Sequence, residues 1–264
     1  MSNINFEAIK IGLVCGGLLF FLVLELILPY RENSVSKIKR WMNNLTLGII
    51  NILLYEAVIV SLFIATASYV TRQQVGVLNL VEMPTWLKVI DTIVFMDLMF
   101  YLLHILIHRI PVLWRFHRVH HTDLDVDVST AMRFHILEVC FRSIAGIGMI
   151  YFIGADPLGV VAFECLFLIA FFFQHSGIKL PKIIEDFYWI LFVPPAMHRI
   201  HHSVDREERN TNFGAILSIW DRFFGTLLTG VNQNQIWMGV DGHIQEKKLE
   251  IYHLLWMPFT PSVK

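Results

Sequence analysis

The chain has 264 residues, 55% of them hydrophobic and only 16% charged, with 21 Lys and Arg against 22 Asp and Glu. Soluble domains carry about 25% charged residues, and here the apolar residues are bunched in runs, which excludes a water-wrapped globule and points to lipid. The near-neutral balance offers nothing to nucleic acid; Cys15, Cys140 and Cys165 stand singly in apolar runs without a CxxC, which excludes a disulfide framework.

The opening MSNINFEAIK has no small-residue cleavage site behind its apolar run and reads as an uncleaved membrane helix. Runs at 11–29 (with Glu25 inside), 45–70 (with Glu56 inside) and 86–110 are each long enough to cross about 30 Å of hydrocarbon at about 1.5 Å per residue. Two shorter segments, 136–153 and 158–173, are joined by the turn signal Gly154-Ala155-Asp156-Pro157 and form a spanning or re-entrant hairpin. Arg31, Lys37, Lys39 and Arg40 crowd the first loop, whereas the second holds Arg72 and Lys88, so the first loop is expected in the cytoplasm. Residues 176–264 then read as a cap of short helices. The expected fold is all-α: a multi-pass membrane bundle with a cytoplasmic helical cap. N-terminal membrane helices take 1–85, a catalytic domain 86–230, and a tail packed on the cap 231–264. The ending FTPSVK carries no retrieval signal; a bacterial inner membrane is favoured, or the endoplasmic reticulum in a eukaryote.

Eight of the twelve histidines fall in three clusters: His104-x3-His108, His117-x2-His120-His121 and His198-x2-His201-His202. The last two lie in near-repeats, FHRVHHTDLD and MHRIHHSVDR. Neutral imidazole is the commonest metal ligand, and helical positions i, i+3 and i+4 share a face. Each HxxHH is therefore expected to aim three nitrogens at one place, and HxxxH two more, which is too many for one ion. A two-metal site follows. The topology brings all eight, with His135 and His175 at the feet of the hairpin, to one membrane face. The plainer alternative of a basic interfacial patch around Arg118 and Arg199 would be served better by lysines, and would not need one spacing twice.

Asp97, Tyr101, His104 and His108 form a polar stripe on a membrane helix, where ionisable residues normally face a functional interior. Asp97 either holds a ligand imidazole by its second N–H or makes a helix-packing bond. His175, ending an apolar helix aimed at the site, is read as a ligand, and His135 as a possible one. Glu138 and Arg142, at i and i+4, are expected to pair with each other, and His243 and His253 to lie on the surface.

Structural zinc takes four ligands, often thiolates; magnesium and calcium want oxygens; no HExxH is present. A nitrogen-rich pair of sites suits two irons that activate O2 as co-substrate, although zinc can occupy such sites in purified material. At a membrane boundary the reachable bonds are the C–H bonds of a bilayer lipid, and no catalytic side chain beyond the ligands is needed. Without a GxGxxG, NAD(P)H is not expected to bind, so electrons come from a separate protein, with Arg118, Arg199, Arg206 and Arg209 as its docking surface. The rival readings are a zinc-dependent lipid hydrolase and a non-enzymatic metal-binding membrane protein.

In this order the three histidine boxes resemble the fatty acid hydroxylase/sterol desaturase superfamily of membrane di-iron enzymes. The flanks agree: Thr130-Ala-Met-Arg133-Phe-His135-Ile-Leu-Glu138, Phe173-Gln174-His175, Asn210-Thr211-Asn212-Phe213-Gly214 and Trp220-Asp221-Arg222-Phe223-Phe224-Gly225-Thr226. The resemblance covers about residues 90–230. It implies O2-dependent hydroxylation or desaturation of a lipid, with electrons from a ferredoxin- or cytochrome-like donor and its reductase. It also implies the eight boxed histidines and His175 as ligands, with Asn212 beside them. Fatty acyl, sterol, carotenoid and ether lipids all stay open as substrates.

Overall fold

Proline, glycine and short polar caps punctuate the apolar runs. The computed structural model describes residues 6–53 and 57–261; Glu56 and the two chain ends lie outside them. Its first seven helices are α1 Phe6–Ile27, α2 Lys37–Asn51, α3 Ala57–Gln73, α4 Thr85–Arg109, α5 Pro111–His121, α6 Ile136–Ile153 and α7 Pro157–His175. Five short ones follow: α8 Lys182–Tyr188, α9 Pro195–His201, α10 Arg206–Arg209, α11 Ile219–Phe223 and α12 Ile251–Trp256. Pro111, Pro157 and Pro195 open α5, α7 and α9, where a missing N–H costs nothing. Gly154 closes α6 at φ 69°, a left-handed conformation natural to glycine. No β-sheet occurs among the described residues.

Among the described residues, four helices are long and apolar enough to cross a membrane: Lys10–Ile27 of α1, α4, α6 and α7. α3 packs with α6 and α7 in the same bundle. Phe63, Met96, Phe100, Ile150 and Phe163 form its core, while Leu19, Leu62, Ile144 and Phe152 face outward. α4 meets α7 closely because residue 159 is glycine: a Cβ there would lie 2.6 Å from that of Thr92.

Among the described residues the run at 45–70 yields two helices and no candidate crossing; α2 ends at Asn51 and α3 starts at Ala57. The reason lies in α2's two faces. Arg40, Asn44, Leu47, Gly48 and Asn51 are buried at three- and four-residue spacing, and Ile38, Met42 and Ile49 are exposed. The helix turns its polar face inward and its apolar face outward, as a helix lying along an interface beneath a protein cap would.

One end of the bundle is therefore a cap built from α2, α5 and α8–α12. Glu25 near the end of α1 accepts from the Val128 and Gly177 N–H groups at 2.7 and 3.0 Å, tying that helix to the loops after α5 and α7. Leu254 and Met257 pack with Leu47 and Val119, tying the chain's tail to α2 and α5. At the other end Asn79 donates to the Gly154 carbonyl at the α6–α7 turn.

Candidate metal centre

α4 stops at Ile110, and Pro111 starts α5 at once, so the chain reverses and lays HxxxH against the first HxxHH. The second HxxHH enters on α9. Nine imidazoles converge in two groups: His104, His108, His117, His121 and His201, then His120, His175, His198 and His202. Within each group the candidate ligand atoms lie within 4.8 Å of one another.

The expectation that each HxxHH serves one place is corrected. Each is divided: His117 and His121 belong to the first group and His120 to the second, while His198 and His202 belong to the second and His201 to the first. The i and i+4 residues of a helix lie nearly in line, but i+3 and i+4 are adjacent residues about 100° apart. One short helix thus feeds two adjacent positions. The His121 and His202 rings stack across the boundary at 4.4 Å.

Four ligand rings are fixed from behind. Nδ1 of His104 donates to the Phe213 carbonyl (3.0 Å), of His201 to Thr211 (2.8 Å), of His175 to Phe171 (2.7 Å), and of His117 to the Glu138 carboxylate (2.6 Å). Carbonyls and carboxylates only accept, so those Nδ1 atoms carry the proton and each Nε2 is a bare lone pair. Yet Nε2 of His104 lies 3.2 Å from that of His117 and 3.1 Å from that of His201. Three lone pairs at that separation repel unless a cation lies between them, and nitrogens around one metal at about 2.0–2.1 Å stand about 3 Å apart. The donor set fits a metal ion.

Burial, and then the neighbouring imidazoles, push His120, His121, His198 and His202 well below their ordinary pKa, and His201 to about 3. All five are neutral at pH 7, as metal binding requires.

Asn212 and Asp221 make the carbonyl cradle. Asn212 adopts φ 57°, and its side chain clamps Leu228 and the Met197 carbonyl. That turn aims the flanking Thr211 and Phe213 carbonyls at two ligand rings. Asp221 accepts from the Phe213 and Gly214 N–H groups at 2.8 Å.

Other expectations are corrected. Asp97 touches no imidazole; it accepts from the Ile216 and Leu217 N–H groups and the Trp220 indole, the packing alternative. His135 stays outside both groups: its Nδ1 accepts from the Leu137 N–H at the start of α6, and Nε2 meets the Leu255 carbonyl. Arg118 is buried against the carbonyls of Met257, Thr260 and Pro261. Arg199 is buried 3.9 Å from the Tyr30 ring centre beside Glu185, and Arg209 is buried over Trp114. In an HxxHH helix the residue after the first histidine points away from the metal, and here the rest of the cap covers that side. Only Arg206 of the four is exposed. His253 is exposed as expected, but His243 is half-buried.

Glu138 is the residue that sequence reasoning missed. It does contact Arg142, at 3.4 Å, but it also holds His117. Its place in the R-x-H-x-x-E stretch was the available signal. Beyond the second histidine group, between α1, α3, α6 and α7, lies an apolar cavity of about 500 Å³. Phe134 and Phe171 end it: Phe134 stacks 4.3 Å from His120, and Phe171 lies 4.4 Å from His175.

A model of the fatty acid hydroxylase family matches residues 89–226. Ornithine lipid hydroxylase OlsE of Rhizobium tropici is 30% identical over 170 residues, 62% of this chain and 48% of that protein. Human alkylglycerol monooxygenase is 27% identical over 63% of this chain and 37% of its own length. For human cholesterol 25-hydroxylase the figures are 26%, 56% and 55%. The chain thus matches about half or less of most of these relatives. No solved structure matches.

Proposed function

The chain belongs to the fatty acid hydroxylase family, and from that premise we propose that it is a membrane oxidoreductase that hydroxylates a C–H bond of a lipid drawn from the bilayer. One observation carries this reading: groups of five and four imidazoles, the second wholly buried, lie next to an apolar cavity, with a layer of phenyl rings between. All nine histidines are the ligands of two metal positions, and a donor set of nitrogens without thiolate suits iron. Bound there, a pair of irons supplies the O2 chemistry that an unactivated C–H bond requires.

The chain's own residues do the rest. Phe171, Thr211, Phe213 and Glu138 fix the tautomer and the orientation of four ligand rings, which limits what must reorganise on binding. Phe134 and Phe171 exclude water from the second group while offering an apolar chain a surface to slide along. That group has four ligands against five in the first and faces the cavity, so the reacting carbon is placed there. Electrons come from a separate ferredoxin- or cytochrome-like protein and its reductase, and the histidine end faces the cytoplasm, a reading supported by the basic residues of the first loop.

The relatives' names speak of hydroxylation and monooxygenation, which favours an alcohol product over an alkene. Purified protein is expected to hold about two irons per chain and, with a reductant, to add one oxygen to a lipid only when O2 is present. A product short of two hydrogens instead would make it a desaturase. Zinc alone with hydrolysis in the absence of O2 would overturn the proposal.

A further inference from the structure

Arg142 lies on α6, inside a candidate membrane span, and lines the apolar cavity. A guanidinium in hydrocarbon surroundings is costly and normally serves a site. Its Cζ sits 5.4 Å from the Phe134 ring centre and 5.9 Å from that of Phe100. Both rings lie within cation–π reach of the guanidinium. Among the described residues, one of its five donors meets a protein acceptor, Glu138 at 3.4 Å. That carboxylate is engaged more closely by His117, at 2.6 Å. The side chain keeps 18% of its surface exposed although it sits beside the metal end of the cavity, one phenyl ring from His120.

We propose that Arg142 anchors the substrate's polar group: the cavity takes an acyl lipid whose carbonyl or carboxylate oxygens accept from this guanidinium. The proposal rests on the reading that the cavity delivers a lipid to the histidine groups, and it names which lipid. Arginine only donates, so the partner must be an acceptor, and its planar fork matches the two oxygens of a carboxylate. A choline or ammonium headgroup would meet like charge. The cavity's other charged residues, Lys10 and Glu164, pair with each other at 3.3 Å. Glu164 lies in the middle of α7, about 16 Å along the helix from His175, which ends it, so that pair marks the end of the cavity away from the histidines. The acyl group bound at Arg142 puts the carbons nearest it, rather than the terminal methyl, beside the second histidine group.

The test uses the purified full chain in lipid nanodiscs, with a fluorescent acyl probe displaced by palmitate, methyl palmitate or hexadecane. Wild type should prefer the acyl compounds. Arg142→Gln should lose that preference by about tenfold to a hundredfold, and Arg142→Lys should recover part of it. Preference for palmitate alone assigns a carboxylate to the anchor; preference for both acyl compounds assigns a carbonyl, and either supports the proposal. Equal displacement by hexadecane in wild type, or an unchanged preference in Arg142→Gln, overturns it. Because the wild-type comparison stands alone, a variant that fails to fold does not rescue the idea. In turnover, the new hydroxyl should lie near the acyl group, and a product oxidised at the methyl end would count against the anchor. A protein with no redox metal and no oxygenated product would sink the hydroxylase reading while leaving this binding preference intact.

Discussion

Replacing Glu138 with alanine should loosen one metal position and spare the other. Its carboxylate accepts from Nδ1 of His117 at 2.6 Å in a fully buried setting. A hydrogen bond to a charged group contributes about 1.5–3 kcal/mol, equivalent to about tenfold to a hundredfold in metal affinity, the range found for groups that brace ligating histidines. Glu138 contacts no ligand of the second group: His175 is held by the Phe171 carbonyl, and the Nε2 atoms of His120, His175, His198 and His202 face one another. Chelator titration of the metal-loaded protein should therefore show one of its two release steps moving to lower chelator concentration by that factor. Glu138→Gln keeps an acceptor for the His117 N–H but loses the charge, and should fall between alanine and wild type. If the alanine variant releases both ions where wild type does, the bond seen behind His117 does not tune the metal. If both steps move together, the two groups are not separate positions.

Two further outcomes follow from burial. The metal-free protein should lose stability as pH falls below about 6.5. His120, His121, His198, His201 and His202 are held neutral in the fold with depressed pKa values, so the unfolded chain binds the extra protons, at up to about 1.4 kcal/mol per pH unit for each histidine. Thermal midpoints at pH 7 and pH 5 measure this, and a flat profile would contradict it. Arg118→Ala should lower the thermal midpoint, at a cost of about 1.5–3 kcal/mol of stability, since it removes a buried charged donor from the carbonyls of Met257, Thr260 and Pro261. Slower reduction by a donor protein with unchanged melting would instead restore Arg118 as a docking residue.

The site was legible in the sequence to the extent that local spacing determines it. Two HxxHH boxes, one HxxxH and the turn at Gly154–Pro157 announce helices that bring their polar ends together, and His175 could be placed because it ends an apolar run. What spacing does not contain is which residue across space satisfies a polar group. His135 and His175 look alike as lone histidines, yet one caps a helix and the other joins the second group. Arg40 counts as a surface charge in the first loop, but it is buried between Asp123 and Asp127, whose carboxylates it bonds at 2.5 and 3.0 Å. A hydropathy window therefore ran through the end of α2 into α3. Arg118 and Arg199 were misread for the same reason, since their burial depends on segments distant in sequence, the chain's tail for one and Tyr30 for the other.

The division of each HxxHH between neighbouring positions bears on how the protein matures. Both groups need α9, so neither is complete until residue 202 has been made and α4, α5 and α7 have assembled around it. A nascent chain halted earlier has only partial chelates to offer. On the proposed function, full assembly of the metal centre is thereby deferred until the last of the packing helices is in place, and a half-built chain holds neither position complete.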